Sequence, residues 1–221
     1  MKTQADWIII AAQAEKQEIV LPDHSAITLS PGSSIRYDRL SFGKKERYIE
    51  LAGKAFFNVN HLKNVPFHIN TPLADIQVLG TQFQVVSTKD STVTWIVSGK
   101  VRFSTSRQCT DLTQNMRAIV NRENGQIQVF AKDHLNELAW KTHRFVYQNT
   151  PLREVVADLE KLYQIKLKNI PPQNLKLTAT FDTMEISDIL YIINQTLDTN
   201  LTITIQPVSY THLRAHETLR H

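Results

Sequence analysis

The chain offers few side chains whose type and spacing could do chemistry. His212 and His216 lie four apart, the interval that puts two metal ligands on one helical face. A third ligand and the carboxylate base of an HExxH arrangement are missing from that stretch, so a metal site is not expected. His24, His61, His68, His134 and His143 are dispersed, and His68, between Phe67 and Ile69, is expected on the wet face of a strand. The carboxylates Glu46, Glu50 and Asp75 fall on different expected strands, with no motif to bring two of them across a cleft for glycoside hydrolysis. Ser98-Gly99-Lys100 reads as a hairpin corner, since no helix follows it to receive a phosphate. The chain contains no GxSxG, CxxC, P-loop or GxGxxG motif. The single cysteine, Cys109, excludes an intrachain disulfide and reads as a small buried or half-buried hydrophobe. These readings point away from catalysis, cofactors and a small-molecule substrate.

Composition bounds the remaining classes. With 221 residues, 42% hydrophobic and 21% charged, the chain can build one or two soluble domains. Its net charge of +4 comes from 25 basic and 21 acidic residues that are scattered rather than gathered on one face, so nucleic acid is not the expected partner. The longest apolar run, Trp7 to Ala12, is far shorter than the roughly 20 residues a spanning helix needs. No secretory leader is evident at the start. Residues 1–14 are read as a lead segment, with Trp7 to Ile10 favoured as an edge strand by their β-branched content.

The elements follow from periodicity. Residues 15–134 read as short strands: Ile27 and Leu29, Tyr48 to Leu51, Phe67 and Ile69, Ile76 and Val78, Phe83 and Val85, and Val101 and Phe103 all alternate with polar neighbours. Turns are expected at Pro22-Asp23, Pro31-Gly32, Lys89-Asp90, Ser98-Gly99 and Asn124-Gly125. Adjacent Phe56 and Phe57 must face opposite sides of their strand, one of them into the core. Trp95 falls in what reads as an interior strand. The fold class expected here is mainly β, an antiparallel sandwich or roll. From about residue 138 to 206 the order changes to βαββαβ, a small sheet with two helices on one face. Its first helix is expected after Thr150 as N-cap and Pro151 at the first helical position, with Leu152, Val155, Val156, Leu159 and Leu162 as the apolar stripe. The second carries Ile186, Ile189, Leu190, Ile193 and Leu197, capped near Asp182 or Thr183. Residues 207–221 have no alternation and three of the eight histidines; they look like translated vector or adapter sequence.

Four blocks follow in a fixed order: Leu21-Pro22-Asp23-His24-Ser25, Ile49-Glu50-Leu51-Ala52-Gly53-Lys54-Ala55-Phe56-Phe57-Asn58-Val59, Val78-Leu79-Gly80-Thr81-Gln82-Phe83-Gln84-Val85, and Ser98-Gly99-Lys100-Val101. Together they resemble the periplasmic domain of FecR-type anti-sigma factors. Phe145-Val146-Tyr147-Gln148-Asn149-Thr150-Pro151-Leu152-Arg153-Glu154-Val155 is similar to the opening of the FecR C-terminal domain, which has the short-domain fold of secretins and TonB-dependent transducers. The family has glycine where this chain has His24 and near Asn115, both of which tolerate positive φ. The resemblance implies that the chain begins just after a membrane helix, and that one further native strand is replaced by the tail. It implies a relay rather than an enzyme, located in the periplasm as part of a single-pass inner-membrane protein. Its expected partners are the periplasmic signalling domain of a TonB-dependent outer-membrane transporter and, through a cytoplasmic domain that this chain lacks, an extracytoplasmic-function sigma factor. Residues expected at the transporter contact are Phe145, Val146, Tyr147, Lys176, Leu177, Thr178 and Thr180, on an open sheet edge. A carbohydrate-binding or cell-surface β-module is the other class considered; it would need exposed aromatics on one sheet face.

Overall fold

The computed structural model describes residues 5–44, 46–131 and 135–204, and divides after His143 into two compact units. The first unit is built around one strand. Strand β5 (Arg47–Asn58) runs for 12 residues, and its two halves belong to different sheets. Its first half lies between β4 (Ser34–Asp38) and β6 (Phe67–Asn70); beyond β6 come β7 (Asp75–Val78), β10 (Lys100–Ser104) and β11 (Cys109–Thr113), while β1 (Trp7–Ala11) closes the other side against β4. Its second half lies between β3 (Ala26–Leu29) and β8 (Gln82–Ser87), with β9 (Ser91–Ser98), β12 (Met116–Asn121) and β13 (Ile127–Ala131) beyond β8, and β2 (Gln17–Val20) beyond β3. Two seven-stranded layers therefore share β5, as happens where a strand switches sheets at a bend. Every neighbour pair is antiparallel except β5–β6, which is parallel.

The bend falls at Gly53, at φ +90°; a Cβ there would stand 2.5 Å from Ser33 Oγ and 2.9 Å from Ser33 Cα. Only glycine meets both demands. The Ser33 hydroxyl accepts from Lys54 N–H at 2.8 Å, holding the second half of the strand in place. The alternating residues read from the sequence meet between the layers: Ile27, Leu29, Ile49, Leu51, Phe67, Ile69, Ile76, Val78, Phe83, Val85, Val101 and Phe103 are all buried. Phe57 stacks on Phe83 at 5.2 Å in this core. Phe56 faces the other way, under Lys141 of the short helix α1 (Ala139–Thr142), whose Trp140 donates to the buried amide of Gln84.

Several local expectations change. Ser98-Gly99-Lys100 is not a hairpin corner: β9 pairs with β8 and β12, β10 with β7 and β11, so Gly99 (φ +87°) carries the chain from one layer to the other. The residues around Asn115 do the same in reverse, because β11 and β12 are not partners. His24 and Asn115 take the glycine-like conformation expected of them, at φ +65° and +64°. Cys109 is exposed, because its edge strand β11 turns it outward. Trp7 to Ala11 are paired with β4 as an edge strand.

The second unit follows the order β14 (Arg144–Pro151), α2 (Leu152–Tyr163), β15 (Leu167–Lys168), β16 (Lys176–Asp182), α3 (Ile186–Leu197), β17 (Thr202–Ile203). Its strands form two separate two-stranded ladders, β14–β16 and β15–β17, rather than one sheet. Leu152, Val155, Val156 and Leu159 of α2 and Ile189, Leu190 and Ile193 of α3 form its core with Phe145, Tyr147, Leu177 and Phe181. Pro151 is itself the N-cap of α2. Thr150 does not cap, since its hydroxyl accepts from Gln148 N–H at 3.1 Å to close the bulge in β14. Glu185, in extended conformation, precedes α3; Asp182 ends β16 beside Arg144, and Thr183 turns through φ +48° between them. The tail, with His212 and His216, and residue 134 lie outside the described residues. No described helix is long and apolar enough to cross a membrane.

Candidate protein-interaction surfaces

The first and third sequence blocks meet at one buried cation, Arg47. Arg47 shares the inward parity of Ile49 and Leu51 in β5, and its side chain is wholly buried. Its guanidinium meets the Asp23 carboxylate at 2.8 Å and donates to the backbone carbonyls of Asn60 (2.8 Å), Val65 (2.7 and 3.0 Å) and Leu79 (3.0 Å). Asp23 also accepts from Ser25 N–H at 3.0 Å and Ser25 Oγ–H at 2.7 Å. Asn60 N–H in turn reaches Ser25 Oγ, and the Asn60 amide donates to the Asp23 carbonyl. The third block closes against His61, where Gly80 leaves room that a Cβ would fill at 2.6 Å. The fourth is tied to the third by Thr81 Oγ1–H donating to the Lys100 carbonyl at 2.9 Å. A buried cation needs such a set of charge-assisted acceptors to offset its lost hydration. Arg47 thus ties the first and third blocks into an architectural knot, and block residues such as Leu21, Ser25, Phe57, Val78 and Phe83 face inward. Sequence reading missed Arg47, although a charge on the inward parity of a strand is itself the signal.

Surface chemistry elsewhere is locally satisfied. Glu50 pairs with Arg36 at 2.7 Å, and Asp75 meets His68 Nδ1 at 3.1 Å. His68 is mostly covered rather than wet: it stacks on Tyr48 at 5.3 Å, and its hydrogen bond to Asp75 raises its pKa above the ordinary value against the opposing effect of burial. Asp111, between Arg102 and Lys100, is held down to about 2. The exposed aromatics of the first unit, Trp7 and Tyr48 in one layer and Phe130 in the other, lie on β1, β5 and β13, and Tyr191 lies on α3 of the second unit.

In the second unit the residues expected at a partner contact separate into two sets. Phe145 and Tyr147 stack on each other at 5.8 Å with at most 2% of their surface exposed, and Leu177 is fully buried. Their side chains belong to the core and cannot meet a partner, because α2 covers that side of the ribbon and strand alternation sends alternate residues inward. Burial pushes the Tyr147 hydroxyl up, and the Asp158 carboxylate adds to the effect. Val146 is half-buried, and Lys176, Thr178 and Thr180 are exposed. Val146 stands directly across from Thr180, and Thr178 Oγ1 accepts from Asn149 N–H at the bulge. The β14–β16 ribbon has no third strand among the described residues. The side of it turned away from α2 carries Val146, Lys176, Thr178 and Thr180, a mainly polar face of the kind a partner domain can recognise.

Two family profiles match these two units in order, FecR protein over residues 8–102 and FecR, C-terminal, over residues 144–208. The chain belongs to the FecR family. Two crystal structures of a candidate anti-sigma factor from Parabacteroides distasonis ATCC 8503 are similar to it, each with a TM-score of 0.62 and 25% identity; they cover 91% and 90% of this chain and 100% of their own. No curated protein matches. FecR proteins are regulatory anti-sigma proteins rather than enzymes, and this chain has their signalling role. The FecR profile spans all four blocks as well as Arg47 and its acceptors.

Proposed function

We propose that this chain is the periplasmic sensor-relay region of a transmembrane anti-sigma factor. It receives a signal from a TonB-dependent outer-membrane transducer and regulates an extracytoplasmic-function sigma factor through a cytoplasmic segment of the same protein. The transducer's periplasmic signalling domain docks on the β14–β16 ribbon. The observation that carries this reading is the ribbon's outward face of Val146, Lys176, Thr178 and Thr180, on the unit that matches the FecR C-terminal domain. Side chains at alternate positions of the two strands supply the selectivity of that contact. The knot around Arg47 gives the first unit a rigid body on which a change of state can be transmitted.

The test is a sigma-dependent reporter in cells carrying the intact protein. Val146→Glu with Thr180→Glu places two like charges directly opposite each other on the ribbon face, which should abolish induction while basal control is retained. Full induction by that variant, present at normal abundance, overturns the assignment of the docking face.

A further inference from the structure

The strand β1 is an unblunted sheet edge whose free side is self-complementary. The hydrogen bonds at its two ends, Ala12 N–H to the Ser33 carbonyl and Arg39 N–H to the Asp6 carbonyl, are both 2.9 Å. They show that the even-numbered residues point their backbone groups at β4. The alternation of an antiparallel ladder then turns the N–H and C=O of Trp7, Ile9 and Ala11 to the open side. The same three residues are the exposed ones: Trp7 is 49% and Ile9 69% exposed, whereas Ile8 and Ile10 lean on the core. Of the other edges of the two layers, β2 carries Glu18, β11 carries Asp111, and Phe130 of β13 has the Arg117 guanidinium 4.6 Å from its ring. Strand β1 has no charge, proline, glycine or bulge, the devices that keep edges from pairing.

We infer that this edge pairs with β1 of a second copy of the chain, antiparallel about a two-fold axis through Ile9. In that register Ile9 faces Ile9 and Trp7 faces Ala11 of the other copy, with two hydrogen bonds for each facing pair. Every outward backbone group of the three residues finds a partner, as an isologous contact requires. Size matches as well as register. Ala11 lies beside Ser34, and Ser34 beside Ala52, so the row next to the incoming Trp7 holds only small side chains. A shallow hollow of about 360 Å³ lies there, bordered by Ile9, Ser34, Arg36, Ala52 and Pro72. The flanking charges are already matched, Arg36 with Glu50 and Arg39 with Asp6, so pairing strands no lone charge at the seam. A foreign strand would meet the same backbone groups but would have to reproduce this large-to-small order by its own sequence.

Sedimentation of the full chain over a concentration series tests this. Ile9→Lys should raise the dimer dissociation constant at least tenfold, and Val20→Lys on the exposed part of β2 should leave it unchanged. Register is read in a Cys109→Ser background. Ile9→Cys should oxidise to a linked dimer, because facing Cβ atoms lie about 4.5–5.5 Å apart. Trp7→Cys should not, since two such residues are offset by four positions, about 13 Å along the strand. A chain that stays monomeric throughout, a dimer indifferent to Ile9→Lys, or equal linking by both cysteine variants overturns the inference.

Discussion

Arg47→Met should cost the first unit about 3–5 kcal/mol, the penalty of breaking a buried ion pair by removing one partner. The value follows from what is left behind. The Asp23 carboxylate, whose side chain is 4% exposed, keeps only the two Ser25 donors, and the carbonyls of Asn60, Val65 and Leu79 lose the guanidinium together. An acceptor left without a donor carries about 1–3 kcal/mol, the Leu79 carbonyl keeps Leu62 N–H at 3.3 Å, and water entering the site must recover part of the remaining loss. Adding Asp23→Asn removes the lone charge, and the double variant should therefore be less destabilised than the sum of the singles by about 1–3 kcal/mol. Urea unfolding followed by tryptophan fluorescence isolates the relevant unit, because Trp7, Trp95 and Trp140 all precede Arg144. With a slope near 2 kcal/mol/M, the Arg47→Met midpoint should fall by about 1.5–2.5 M. A fall under about 0.5 M, or strict additivity of the pair, would refute the view that this knot holds the two layers together.

Other expectations rest on single sites. Gly53→Ala should destabilise the same transition by at least about 2 kcal/mol, since it combines a positive φ with a Cβ overlapping Ser33; a neutral result would mean that the bend can relax. Tyr147→Asp should unfold the second unit, seen as lost hydrogen-exchange protection over residues 144–204, because Tyr147 is buried against Phe145 and Phe181. His68 has a folded pKa raised above its unfolded value by Asp75, so its favourable contribution is present below about pH 6.5 and fades as pH rises through the folded value. An NMR titration should place His68 above 6.5 in the native chain and lower in Asp75→Asn; unchanged values would dismiss the pairing.

Much of this fold could be read from residue order. Alternation placed Ile27, Phe67, Phe83 and Phe103 inward, and helical spacing located the buried faces of α2 and α3. The tolerance of His24 and Asn115 for positive φ anticipated their conformations. Pairing partners were less legible. A glycine between two alternating runs looks alike whether the chain reverses into a hairpin or crosses to another layer, so Gly99 was read as the former and does the latter. The division of β5 between layers depends on the long-range approach of Ser33 to Gly53, which no local pattern records. At the candidate surface, the apolar pattern that identified β14 was also the pattern of a core strand. That is why Phe145, Tyr147 and Leu177 proved structural, while Val146, Lys176, Thr178 and Thr180 remain on the outward face.

The most direct test of the proposed relay is titration calorimetry of the chain with the periplasmic signalling domain of a TonB-dependent transporter from the same organism. The account predicts saturable binding, micromolar or tighter, weakened at least tenfold by Val146→Glu with Thr180→Glu and unaffected by Val129→Glu on β13. No binding with both proteins folded, or binding indifferent to the ribbon substitutions, would contradict it.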